Sequence, residues 1–530
     1  MQFNTIEFAV FFLCVLIIFY IMPKKFRWIV LLIASGIFYL LAGINFLAYL
    51  GITILSTFAF GLGIDHIHKV QKVNLKQDGL TRDEKKHIKA RYKRNRQYLV
   101  ALNLLVNLGL LFFIKYFNFL SSNFSRLLSF AKVDSTPLLL ELVLPLGISF
   151  YTFQTIGYIV DVYRGKYAAE RNIFKFALFV SFFPQIIQGP IGRFDKLSPQ
   201  FFENNEFDYK RICYGLQLFL WGLFKKLVIA DRINIAVNQV YDNWKTSDGV
   251  SFIIATALYS IQIYADFSGC MDMAGGVAET FGVQLDKNFD HPYFSKTMPE
   301  FWRRWHMTLG TWFKDYLFYP VSTSKFSQKL NKKSRKRFGN NAGRLIAGCF
   351  PIFVVWLSTG FWHGAELKYI AWGLFHGILI MSSLIFTPVN NAISDKLHIP
   401  REKLPFRMFQ MIRTFILCCI GRVFFRSPSV SVSFTILKKV ITDVNFSAFM
   451  KRLTYLNMGL DEKDWCVAAV SILLLWAVSL IQEKYKVRDL IAKRFIVVRW
   501  IVFYAAVFAV IVFGIYGPGY DASTFIYNQF

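Results

Sequence analysis

Phe301-Trp302-Arg303-Arg304-Trp305-His306 opens a stretch that continues through Thr311-Trp312-Phe313-Lys314-Asp315-Tyr316 to Ser358-Thr359-Gly360-Phe361-Trp362-His363-Gly364. Between the outer motifs lies Lys325–Arg344, which carries eight cations and no acid. Residues 345–362 then contain no Asp, Glu, Lys or Arg. That run approaches the ~20 apolar residues needed to cross the hydrocarbon core of a bilayer. Two histidines set among aromatic side chains are thus joined by a segment that belongs in water. The pattern points to chemistry carried out at a membrane.

The surrounding chain agrees. Of its 530 residues, 55% are hydrophobic, 18% aromatic and only 18% charged, where soluble chains carry about a quarter charged residues. The mean hydropathy is +0.39. These values imply an all-α polytopic membrane protein. The net charge of +28 is compatible with nucleic-acid binding, but the cations sit in loops beside apolar runs, as the positive-inside bias requires. We therefore expect no nucleic-acid partner. Seven cysteines lie mostly inside apolar runs without a CxxC pair, so they read as small hydrophobic packing residues rather than disulfides or metal ligands. Met1–Glu7 has no cationic flank, and residues 8–22 read as a retained span rather than a cleaved signal.

Taken in order, spans are expected near 6–22, 28–43, 47–64, 98–120, 139–160, 212–230, 250–268, 345–362, 368–386, 408–426, 465–482 and 498–516. That is about 11–12 helices in a single domain covering residues 1–530. Residues 65–97 hold eleven Lys or Arg against four acids, which makes this loop cytoplasmic and places both termini outside. Pro184-Gln185-Ile186-Ile187-Gln188-Gly189-Pro190 predicts a broken or re-entrant segment over 173–190. The polar set Ser149, Thr152, Gln154 and Thr155 should face protein rather than lipid. Residues 301–320 read as one interfacial helix, with Trp302, Trp305, Leu309, Trp312 or Phe313, and Tyr316 on one face and Arg303 and His306 on another.

Among the histidines, His66, His68, His87 and His398 read as solvated loop residues, and His291, before Pro292, as part of a turn. His363 follows the uncharged run. Burial there favours neutral imidazole with a nitrogen able to take a proton, which is what a general base needs. A hydrogen-bonded core histidine or a helix-end cap is the alternative. His306 lies among arginines, and its residues alone favour a structural or phosphate-facing role. Arg303, Arg304 and Lys314, with Trp302 and Trp305, would meet either lipid headgroups or the phosphates of a nucleotide-bearing donor. No carboxylate recurs at ligand spacing, so no metal is expected. The tail Thr524-Phe525-Ile526-Tyr527-Asn528-Gln529-Phe530 reads as an interfacial anchor or as a segment that folds back and presents a phenol.

Phe183-Pro184-Gln185, Gly189-Pro190, Tyr264-Ala265-Asp266-Phe267-Ser268-Gly269, Asn288-Phe289 and the motifs around His306 and His363 together resemble the membrane-bound O-acyltransferase (MBOAT) family. The resemblance is to its bacterial branch of alginate O-acetylases, peptidoglycan O-acetyltransferases and D-alanyl transferases, with the acyltransferase core at about 140–380. It implies a ring of helices around a central tunnel. It also implies His363 as the essential histidine and His306 as a second active-site residue that orients the donor or helps the tetrahedral intermediate. Tyr527, in the 517–530 tail, would be a covalent relay. By the same resemblance, the donor would be cytoplasmic acetyl-CoA with no bound cofactor. The location would be a bacterial inner membrane, with membrane lipid around the chain. The outer partner would be a periplasmic acetyltransferase of the SGNH type that decorates a polysaccharide. D-alanyl transfer from a carrier protein and polysaccharide transport remain open as alternatives.

Overall fold

The structure is a computed structural model that describes residues 1–517 apart from 131–132, 134–135, 141–144, 146, 187–188, 204–205 and 452–457. The described residues form helices and connecting turns, with no strand among them. Ten of these helices are long and apolar enough to cross a membrane, and Ile6–Ile21 is a shorter apolar helix. The chain is therefore a multi-pass membrane protein. Its described residues fall into two compact units, one drawn from Met1–Leu216 with Ala274–Asp286 and the other from Gln217–Met273 with Lys287–Phe530.

The first unit includes the spans Lys24–Ala42, Ile44–Asn74 and Arg82–Ser129. The two longest account for the basic segment read as a loop. Most of residues 65–97 continue these helices beyond the apolar window, and only a short turn separates Asn74 from Arg82. His68 lies on the first of them, with its Nε2 3.1 Å from the Tyr163 carbonyl. A continuing helix satisfies its backbone groups internally, whether its side chains face lipid or water.

The expected span over 139–160 is a shorter helix, Ile148–Arg164. Gly147 precedes it in the left-handed region at φ 72°, and a Cβ there would lie 1.9 Å from the Ile186 carbonyl oxygen. Only glycine fits that approach. Thr152, Gln154 and Thr155 are buried, and Gln154 Nε2 donates to the Phe179 carbonyl at 2.7 Å. These polar residues do face protein. The next segment is broken as expected, with Ile173–Ser181 ending before Phe183–Ile186. The Phe183 N–H is met instead by Ser35 Oγ at 3.1 Å.

In the second unit, Asn340–His363 and Leu367–Lys396 form a tight helical hairpin. A Cβ on Gly373 would lie 2.5 Å from the Trp356 carbonyl oxygen and 3.0 Å from Gly360 Cα. Small residues let these backbones touch, and dispersion between them replaces a hydrophobic drive that lipid does not supply. Leu404–Arg426, Glu462–Gln482 and Ile496–Phe513 are further spans of this unit.

Tyr209–Asp242 is also a span, but its middle, Phe224–Ala230, is wound as a π-helix. Two buried lysines sit there. Lys226 Nζ is 2.8 Å from Asp231 and 2.9 Å from Asp266. Lys225 Nζ lies 2.7 Å from Asp272 and donates to Ser268 Oγ at 2.9 Å. At membrane depth such charges persist because they neutralise one another.

Candidate active site

The stretch that opens at Phe301 is not one interfacial helix. Met298–Arg304 and Met307–Phe313 are separate helices, with Trp305 extended and His306 left-handed at φ 46° between them. Asn288 is the reason. Its carbonyl accepts from Met307 N at 2.9 Å. Its side-chain Oδ1 accepts from Thr308 N at 3.0 Å and from Thr308 Oγ1 at 2.9 Å. In a continuous helix those N–H groups would bond to the preceding turn. A non-glycine residue in the left-handed region costs about 1–2 kcal/mol and persists where surrounding bonds over-determine it. The break also overturns the shared face expected for Arg303 and His306.

His306 is 3% exposed, and its ring stands edge-on to Phe267 at 4.8 Å between centroids. Nδ1 lies 3.2 Å from Asn288 Oδ1. Because that oxygen already accepts from the Thr308 N–H, the amide orientation is fixed. The proton of this contact must then belong to Nδ1. A neutral His306 therefore presents Nε2 as an acceptor. Burial pushes its pKa down to about 3, so it is neutral across physiological pH.

That shift carries a stability consequence. Between pH 6.5 and about 3 the unfolded chain binds a proton at this residue that the folded chain does not, so stability falls as pH falls through this window. From pH 6.5 to 5 the loss from one such group is about 2 kcal/mol. Thermal unfolding in detergent at pH 7.5 and pH 5 should show a smaller acid-induced drop in midpoint for His306→Gln than for the wild type. Parallel drops would show that His306 is not the acid-sensitive group.

His363 closes the Asn340–His363 helix and is 5% exposed. Its ring packs edge-on against Trp372 at 4.7 Å and Phe425 at 5.2 Å. Trp362 joins the two histidines, with its ring 4.7 Å from His363 and 5.9 Å from His306. The tertiary fold thus brings to one indole two imidazoles that are 57 positions apart in the chain. Gly364 lets the chain turn beside the Tyr369 ring, where a Cβ would lie 2.4 Å from Cε2.

The other sequence candidates separate. Trp302 packs at 4.8 Å from Trp356 and from His376. Trp305 is buried against Phe289 at 5.0 Å, with the Arg422 guanidinium 4.7 Å over its ring. Arg304 pairs with Glu300 and Glu483, each at 3.0 Å. Arg303 and Lys314 are exposed. Tyr527 and the rest of 518–530 lie outside the described residues. No group of three or more metal-ligating side chains gathers among the described residues.

Sequence reasoning passed over His376 and the Lys225–Lys226 pair. His376 is 2% exposed, and its ring lies 5.1 Å from that of Trp372, one helical turn before it. The signal was available, because an ionisable residue inside an apolar span is by default a functional candidate. Asn288 was quoted only as part of a motif, and nothing in its spacing indicated the acceptor role.

Comparison with known proteins adds to this geometry. The profile for "MBOAT, membrane-bound O-acyltransferase family" matches residues 168–421. The probable alginate O-acetylase AlgI of Pseudomonas syringae pv. tomato is 33% identical over 435 residues, covering 82% of this chain and 74% of that protein. The peptidoglycan O-acetyltransferase of Helicobacter pylori is 33% identical over 64% of each chain. The teichoic acid D-alanyltransferase of Streptococcus thermophilus is 30% identical over 44% of this chain and 55% of that protein.

Proposed function

Because the chain belongs to the membrane-bound O-acyltransferase family, we propose that it transfers an acetyl group from cytoplasmic acetyl-CoA to the outer side of a bacterial inner membrane. There the group is used for O-acetylation of an envelope or extracellular polysaccharide. The observation that carries the mechanism is the placement of both His306 and His363 beside the Trp362 indole. Both are buried, in surroundings where a proton transfer competes little with water.

In this reading His363 takes the proton of the acceptor hydroxyl as its oxygen attacks the thioester carbonyl. The tetrahedral intermediate collapses with loss of the thiolate, which recovers the proton from His363, so ester and thiol are the products. His306 cannot donate to the oxyanion while its only N–H is held by Asn288. We assign it to orienting the donor, whose amide N–H groups would bond to Nε2. Exposed Arg303 and Lys314 suit the donor phosphates better than Arg304, which already holds two carboxylates. The acceptor hydroxyl is either that of Tyr527, acting as a relay to an SGNH-type partner, or that of the polymer itself.

The test uses purified protein in vesicles, supplied with isotopically labelled acetyl-CoA on the face that carries the basic segments. Peptide mass spectrometry should find labelled acetyl on Tyr527, and Tyr527→Phe should lose transfer while keeping slow donor hydrolysis. Full transfer by the phenylalanine variant would end the relay. Label accepted only from a D-alanyl carrier protein would replace the donor assignment.

A further inference from the structure

We propose that the second unit holds a binding site for one acyl chain of a membrane glycerolipid, with the His291 ring in its wall. The site is a cavity of about 190 Å³. Its walls include Ile261 and Tyr264 of the Gly249–Thr280 helix, Phe415 of Leu404–Arg426, and Ile472 and Trp476 of Glu462–Gln482. The turn His291–Phe294 completes it.

Three observations identify the occupant. First, no Lys, Arg, Asp or Glu lines the cavity, so it offers nothing to a nucleotide phosphate and too few polar partners for a sugar. It is also smaller than the ~300 Å³ at which drug-sized ligands are usually accommodated, and a single methylene chain suits it better. Second, Trp476 lines the cavity and is also 55% exposed. The cavity therefore reaches the outer surface of a membrane span, where Leu473 is 63% exposed beside it. The solvent at that surface is lipid.

Third, His291 gives the wall an imidazole ring and no formal charge. His291 Nδ1 is buried and has no hydrogen-bond partner among the described residues. His291 is also held left-handed at φ 46° and ψ 57°, a conformation that non-glycine residues keep mainly where function or packing requires it. Burial, then the neighbouring Lys287, holds its pKa below the usual histidine range. The ring is thus neutral at physiological pH and gives the cavity no charge with which to bind phosphate. The lipid joins the aromatic wall that ends on Tyr264 and Tyr293, whose rings lie 6.2 Å from that of Trp305 beside the His306 turn. It is a site distinct from the histidine pair.

The probe is phosphatidylethanolamine bearing a diazirine midway along one acyl chain, mixed into phosphatidylethanolamine–phosphatidylglycerol vesicles holding the full chain. After irradiation, adducts should concentrate on peptides containing His291–Phe294 and Ile472–Ser479. Ile472→Trp, which fills the cavity, and His291→Gly, which keeps the left-handed turn but removes the ring, should each lower that labelling about tenfold. Leu473→Trp, on the lipid-facing side, should leave it unchanged, and thermal unfolding checks that each variant is folded. Labelling spread evenly over the outer faces of the spans and insensitive to Ile472→Trp would overturn the proposal. So would displacement of the adduct by a long-chain acyl-CoA but not by excess phospholipid, because the cavity would then be a donor subsite.

Discussion

His363→Ala should lower acyl transfer by about 10²–10⁴-fold, the usual contribution of a positioned general base. The loss should appear in kcat, with the donor KM nearly unchanged, because in the proposed mechanism the imidazole would act on the acceptor proton in the transition state rather than on the bound donor. The residue is 5% exposed between Trp362, Trp372 and Phe425, so alanine also leaves a void. His363→Gln keeps most of the volume and a polar edge but cannot carry the proton, and it should be equally inactive with near-normal unfolding. Acetate released from cell polysaccharides, together with initial rates in vesicles, gives the measurement. O-acetylation at wild-type levels in either folded variant would remove His363 from the mechanism. A transporter or scaffold would tolerate both changes, so the same pair of variants also separates those classes from an enzyme.

The second large effect is on stability. Lys226 is 1% exposed and lies within 3 Å of both Asp231 and Asp266. Lys226→Met keeps the length of the side chain but leaves two carboxylates facing each other without their shared cation. Breaking a buried charge group in this way costs about 3–5 kcal/mol, and such a loss should sharply lower the folded yield in detergent and the unfolding midpoint. Changing all three residues together, Lys226→Met with Asp231→Asn and Asp266→Asn, should recover most of it, because the cation and both of its carboxylates are neutralised together. If the triple variant is as unstable as the single one, the lysine acts through packing rather than charge. If the triple variant folds but has lost transfer, the cluster serves the reaction and not only the fold.

Much of this was legible in the one-dimensional chain. An uncharged run such as 345–362 specifies a buried or lipid-facing helix by length and composition alone, because only a helix satisfies its backbone groups in hydrocarbon within one segment. Gln154 and Thr155 were rightly placed against protein for the same reason. His363 stood out because it ends such a run. His306 did not, since its neighbours Arg303 and Arg304 favour a structural or phosphate-facing role, whereas it is 3% exposed. Helical periodicity across 301–320 was also misleading. A break made by a distant acceptor such as Asn288 leaves no trace in local spacing.

The amino-acid sequence by itself therefore determined the membrane-spanning helices, the polar segments that must avoid lipid, and the position of His363 at the end of an uncharged run. These are properties of burial and hydrogen bonding that act segment by segment. Only the tertiary structure decided that Asn288 breaks the Phe301 stretch and holds the N–H of His306. The same is true of the Trp362 indole that unites His306 with His363, and of the two aspartates that share Lys226. Each depends on groups from different segments meeting at hydrogen-bond or van der Waals distance, and no local pattern encodes that meeting.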